Sequence, residues 1–137
     1  MSYQKTLADQ HRACDAEFTK IEQAAYRGDW GGAAHAAQTF IDDTEAHFEF
    51  EEQTLFPALE ATVPSAAGPT SVMRGEHAQM RELFAGLLDA TAKRDESTLA
   101  DAVETLLLLM QQHNMKEENV LYPIADRSLA GDLLEGV

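Results

Sequence analysis

Apolar residues along this chain return at steps of three and four almost everywhere, and no clear stretch alternates with period two. That pattern belongs to one-sided helices, not to strands. Four segments emerge. The first runs from about Tyr3 to Arg27 and is broken by "RGDWGG"; the second runs from about Trp30 to Ala61. The stretch "TVPSAAGPT", with two Pro and one Gly, reads as the longest loop. The third segment follows from about Ser71 to Lys93, and the fourth from about Glu96 to Arg127 after a turn around Asp95. The tail "SLAGDLLEGV" has room for one more short turn of helix. The first and third segments carry matching stripes: Leu7, His11, Cys14, Phe18, Ile21, Ala25 and Met73, His77, Met80, Phe84, Leu87, Thr91. Steps that alternate four and three make the seam of a helix bundle. The expected fold is all-α, an up-down-up-down four-helix bundle forming a single domain over residues 1–137.

The stripes match because the chain repeats itself at an offset of 66 residues. Residues 47–57, "HFEFEEQTLFP", return at 113–123 as "HNMKEENVLYP", with the His, two adjacent Glu, the Leu and the Pro unchanged. The same shift carries His11 onto His77 and one turn onto the other. His11 lies some 17 residues before the first turn and His47 some 18 after it, so an antiparallel pair brings both to one height. His77 and His113 repeat the arrangement about the turn near residue 94. Four interior histidines at one level are a constellation, not four isolated core residues.

Composition narrows what such a constellation can serve. The 137 residues suit one domain with a real core, and the hydrophobic fraction of 45% is ordinary. A net charge of −14 disfavours nucleic acid and anionic membranes and favours solubility. Cys14 is the single cysteine, which excludes an internal disulfide. No leader-like apolar stretch opens the sequence, and the longest apolar run, Leu106 to Met110, is far too short for a bilayer. A reducing cytoplasm is the expected setting. No Gly-rich phosphate loop, G-x-S-x-G or C-x-x-C is present.

Positions i and i+4 of a helix share a face, so His47 points with Glu51 and His113 with Glu117. The inventory is four imidazoles and two carboxylates facing inward: His11, His47, Glu51, His77, His113 and Glu117. Carboxylates buried without a cation are very costly, and neither Lys nor Arg occurs in the seams. A metal is the natural counter-charge. Mixed imidazole and carboxylate donors suit iron, manganese or zinc, whereas calcium wants more oxygen and structural zinc usually wants thiolates. Six donors exceed what one ion with an open position needs. They suit two ions bridged by both carboxylates. The Glu-x-x-His order of ferritin-like di-iron bundles is absent, since Ala8, Thr44, Arg74 and Met110 precede the histidines by three.

The order His, His-x-x-x-Glu, His, His-x-x-x-Glu, one motif per helix, resembles the hemerythrin-like (HHE cation-binding) domains from His11 to Pro123. The resemblance implies a non-haem di-iron centre with His11, His47, His77 and His113 as terminal ligands and Glu51 and Glu117 as bridges. Oxygen-carrying hemerythrins have a further His where this chain has Arg81, and an Asp bridge where it has Glu117. The pattern is closer to the di-iron proteins of iron–sulfur repair and nitric oxide stress, without the cysteine-bearing N-terminal segment of those proteins. One histidine fewer leaves positions for water, oxygen, peroxide or nitric oxide. The expected function is a di-iron protein that binds or reacts with such small oxidants, as an oxidoreductase on peroxide or nitric oxide if it is an enzyme. It would draw on an electron donor that the sequence does not name. The alternatives are an oxygen or iron sensor or store, and a redox-inactive bundle loaded with zinc or manganese.

Several neighbours invite smaller expectations. His35 lies about 18 Å along the helix from His47 and reads as a surface residue. Cys14 reads as a small core hydrophobe. Asp15 and Asp43, each four residues from a ligand histidine, either accept an imidazole N–H or lie on the surface. Tyr122 matches Phe56 in the repeat, which argues that it packs and that its hydroxyl is not needed. Pro57 and Pro123 should kink their helices just past the ligand turn.

Overall fold

The computed structural model describes residues 2–135. Its described residues form helices and turns, with no strand among them. Helix α1 spans Tyr3–Tyr26; α2 spans Trp30–Phe50 and runs through a π-turn at Glu51–Leu55 into α3, Phe56–Thr62. A 3-10 turn at Pro64–Ala66 leads into α4, Ala67–Lys93. Helix α5, Glu96–Lys116, runs through a second π-turn at Glu117–Leu121 into α6, Tyr122–Ser128, and a 3-10 turn at Gly131–Leu134 follows. Four rods result. Helix α1 packs on α2, α2 on α4, α4 on α5, and α1 closes the ring against α5 and α6. This is the four-helix bundle that the periodicity predicts.

Two details differ from that reading. The stretch taken as the longest loop is mostly helical, and α4 starts four residues before Ser71. Pro69 sits in its first turn, where a missing N–H leaves no hydrogen bond unmade. Secondly, the irregularity expected at the prolines is a π-turn just ahead of each. The N–H of Phe56 reaches back five residues to the Glu51 carbonyl, and that of Tyr122 to the Glu117 carbonyl. Pro57 and Pro123, one residue later, have no N–H to continue a regular ladder. The extra residue in the turn lets Glu51, Leu55, Phe56 and Leu59 all face inward, as do Glu117, Leu121, Tyr122 and Ala125.

The turns obey the repeat. Asp29 caps α2 through the Gly32 N–H at 2.9 Å, and Asp95 caps α5 through the N–H groups of Ser97 and Thr98. The preceding residue is left-handed in both, Gly28 at φ 76° and Arg94 at φ 55°. Glycine accepts that conformation freely, whereas an L side chain is strained in it. Arg94→Gly is therefore expected to stabilise the fold by about 0.5–1 kcal/mol, read as a raised urea midpoint with an unchanged slope.

Two apolar clusters fill the bundle. One joins Phe18, Ile21, Phe40, Phe48, Phe84, Leu87 and Leu106 toward the tight turns. The other joins Tyr3, Leu7, Leu55, Phe56, Met73, Leu121 and Tyr122 at the opposite end. Asp126 secures that end by accepting from the Tyr3 N–H at 2.6 Å and the Ser2 hydroxyl at 3.0 Å. The buried ionisable residues lie in a layer between these clusters. Exposed His35 is outside it, and buried Cys14 belongs to the first cluster.

Candidate metal centre

All six expected site residues are buried, and Glu51, His77 and Glu117 are wholly inaccessible. The structure brings the six together at mid-height. Nε2 of His11 and His47 lie 3.1 Å apart, and Nε2 of His77 and His113 lie 3.2 Å apart. Glu51 spans the two pairs, with Oε2 3.4 Å from His47 Nε2 and Oε1 3.2 Å from His77 Nε2. Glu117 Oε1 lies 3.1 Å from His11 Nε2 and 3.2 Å from His113 Nε2. The donor atoms of Glu51, His77, His113 and Glu117 form one group, and those of His11, His47 and Glu117 a second.

The other ring nitrogens decide what these atoms can do. Nδ1 of His11 faces Glu118 at 2.7 Å, that of His77 faces Glu52 at 2.7 Å, and that of His113 faces Glu76 at 2.8 Å. Nδ1 of His47 faces the Gln10 carbonyl oxygen at 2.7 Å. Each partner oxygen accepts, so each Nδ1 carries a proton, and an imidazole with only that proton presents a bare Nε2 lone pair inward. These outer partners also obey the 66-residue repeat, Gln10 with Glu76 and Glu52 with Glu118. Of the two readings for Asp15 and Asp43, the surface one holds: both are exposed, and the imidazole partners are these four residues on neighbouring helices. A signal was in the sequence, since each partner flanks a ligand position: Gln10 and Glu76 precede a His, Glu52 and Glu118 follow a Glu.

The outer partners of the two halves are unlike. Arg81 grips Glu52 with contacts of 3.0 and 3.0 Å and also reaches Glu45, while Lys116 lies 2.6 Å from Glu76. Burial pushes the Glu52 carboxyl up, but Arg81 and His77 more than reverse this and hold it below its usual value. Glu76 is lowered against burial in the same way by Lys116 and His113. In the first half the repeat places Asp15 where Arg81 stands and Phe50 where Lys116 stands. Phe48 stacks on His77 at 3.8 Å between ring centroids, 14° from parallel, and fixes that imidazole from the side.

Tyr122 corrects a sequence expectation. It is buried, but its hydroxyl stands inside the cluster: 2.6 Å from Glu51 Oε2, 2.9 Å from Glu117 Oε1 and 3.2 Å from Nε2 of both His11 and His47. Phe56 offers no hydroxyl in the other half, and the repeat therefore pointed the wrong way. Burial, then the charges of Glu117 and Glu51, raise the phenol well above its ordinary value of 10.0.

Without a cation the cluster must be held by protons. Burial pulls the His77 imidazolium down, but Glu117 and Glu51 outweigh it and lift its pKa to about 9. His11 is raised likewise, with burial opposing Glu117 and Glu118. Burial pushes Glu117 up, yet its three imidazole neighbours hold it well below the carboxylate range. Even so, Glu51 Oε1 and Glu117 Oε2 are buried without a hydrogen-bond partner. Two ligands at right angles on an ion with bonds of about 2.1 Å sit about 3 Å apart, the spacing of both Nε2 pairs. Bare lone pairs at that spacing around shared, unsatisfied carboxylates fit metal ions. Glu52→Ala and Glu76→Ala, which remove outer partners and leave the six residues in place, should each weaken metal binding about 10–100-fold, measured by competitive titration against a chelator.

The hemerythrin HHE cation binding domain matches residues 3–125. The iron-sulfur cluster repair protein YtfE of Escherichia coli is 31% identical over 100 residues, 66% of this chain and 44% of that protein. YtfE of Escherichia fergusonii gives the same figures. The chain thus matches less than half the length of these relatives. No solved structure matches it. The chain belongs to the hemerythrin HHE cation-binding family, and its His/Glu cluster is able to hold metal ions.

Proposed function

We propose that this chain is a non-haem di-iron protein that binds or reacts with oxygen, peroxide or nitric oxide and serves in the protection of iron centres. His11 and His47 would be terminal ligands of one ion, His77 and His113 of the other, with Glu51 and Glu117 bridging. The observation that carries the reading is the pair of fully buried carboxylates shared between two pairs of Nε2 atoms. Iron held there supplies a Lewis-acidic, redox-active centre for a small ligand. The chain's own residues supply the rest. Outer carboxylates orient the imidazoles and raise their basicity. The two apolar clusters keep water from the layer between them.

Size selection supports a small ligand. A cavity of about 10 Å³ lies beside His11 and His47, lined also by Cys14, Thr44, Phe48, Met80 and Met110. That is the room of one water-sized molecule. Burial raises the Cys14 thiol, so it faces this cavity protonated and weakly nucleophilic. The repair activity named for the YtfE relatives agrees with an iron-handling role. Among the described residues no helix is long and apolar enough to cross a membrane.

The test is metal analysis of protein purified anaerobically, followed by exposure to air, peroxide and nitric oxide. Two irons per chain, with optical changes on each addition, are expected. Zinc alone, or no metal after iron loading, removes the redox reading. A stable oxygen adduct that releases on deoxygenation would instead indicate sensing or storage.

A further inference from the structure

The strongest unexplained feature is Tyr122. Its hydroxyl oxygen lies within 3.2 Å of four donor atoms: Nε2 of His11, Nε2 of His47, Glu51 Oε2 and Glu117 Oε1. Three edges between those four are 3.1 Å for His11–His47, 3.1 Å for His11–Glu117 and 3.4 Å for His47–Glu51. A hydroxyl has one proton and can satisfy one of its two carboxylate neighbours. An imidazole in its neutral form has none to offer on Nε2, because its one proton is on the Nδ1 engaged by Glu118 or Gln10. With the imidazoles neutral, three of the four contacts around the oxygen bring lone pairs together with no hydrogen between them. Four donor atoms within 2.6–3.2 Å of a fifth, with three of their mutual distances at 3.1–3.4 Å, have the spacing of ligands gathered around one ion.

We propose that the Tyr122 oxygen is a direct ligand of the ion held by His11 and His47, which makes the two metal positions chemically unlike. This rests on the di-iron reading above. Coordination breaks the phenol O–H bond, the proton passes to solvent, and the oxygen–metal bond takes its place. The other position has no equivalent, because Phe56 occupies the matching place and packs on His77 at 5.9 Å between centroids. Tyr122 belongs to the apolar cluster at one end of the layer, whereas the small cavity is lined by residues of the other. The tyrosine therefore leaves the cavity side of this ion to a small exogenous ligand.

The experiment is a visible spectrum of the iron-loaded, oxidised full chain beside Tyr122→Phe, with iron counted in both. A phenolate-to-iron(III) charge-transfer band is expected in the wild type and lost in Tyr122→Phe at two irons per chain. Identical spectra at equal iron content overturn the proposal and leave Tyr122 a hydrogen-bond donor. Should Tyr122→Phe not fold, resonance Raman on the wild type decides: enhanced phenolate ring modes are expected, and their absence overturns the proposal. Wild-type protein with two irons and no phenolate signature overturns this inference alone. Failure of the wild type to take up iron overturns the di-iron reading with it.

Discussion

Glu117→Ala protein is expected to hold fewer than two metal ions per chain, with affinity for any ion that remains reduced by more than about a hundredfold. Loss of an outer partner of a ligand histidine already costs about 10–100-fold. Glu117 stands closer in, because its Oε1 contacts His11 Nε2 at 3.1 Å and His113 Nε2 at 3.2 Å, one atom from each half. No other carboxylate in the layer can move into its place, since Glu51 is already divided between His47 and His77. Elemental analysis and competitive zinc titration measure the effect, with His35→Ala as a control at an exposed histidine that should behave as wild type. Two ions retained at wild-type affinity would remove Glu117 from the set of ligands.

The second large effect is a reversal of pH dependence on removing metal. In metal-free protein His77 is raised from 6.5 to about 9. A raised pKa contributes stability that is fully present below about pH 6.5 and lost as pH rises through about 9. The contribution is at most about 3 kcal/mol. Glu117, lowered from 4.5, contributes above that value and loses its share as the solution becomes more acidic. Chelator-treated protein should thus be less stable at pH 9 than at pH 6.5. Metal-loaded protein should show the opposite order, because protons compete with metal for the same Nε2 atoms. Metal at a thousand times its dissociation constant adds about 4 kcal/mol at the alkaline end. Urea denaturation of both forms at the two pH values is sufficient. Parallel curves would show that protons and metal do not share the site.

The bundle and the meeting of the six residues were legible because each has a one-dimensional trace. Apolar steps of three and four give the helices, and a repeat of 66 residues puts four histidines at one height. What escaped has its cause in three dimensions. The hydrogen-bond partners of the imidazoles come from adjacent helices, so i and i+4 spacing along one helix points to Asp15 and Asp43, which are exposed, and not to Glu118 and Gln10. The Tyr122 hydroxyl escaped because Phe56 was treated as its equal, although a two-ion centre does not require its halves to be equal. The segment before Ser71 escaped because Pro and Gly were read as loop residues, while Pro is well tolerated in a first helical turn. The π-turns leave no signature in polarity; only the prolines just after Phe56 and Tyr122 hinted at them.

The 66-residue repeat makes the centre a joint possession of two half-chains. Glu51 reaches from the first half to His77, and Glu117 from the second half to His11. A symmetric dimer of identical half-chains could build the same His/Glu cluster, but it would impose identical surroundings on both of its sides. One covalent chain lifts that constraint. Tyr122 can face Phe56, and Arg81 can face Asp15, across an axis that would otherwise force them to match. Joining the halves thus permits division of labour between the two sides of one buried cluster: one side can be specialised without the other following.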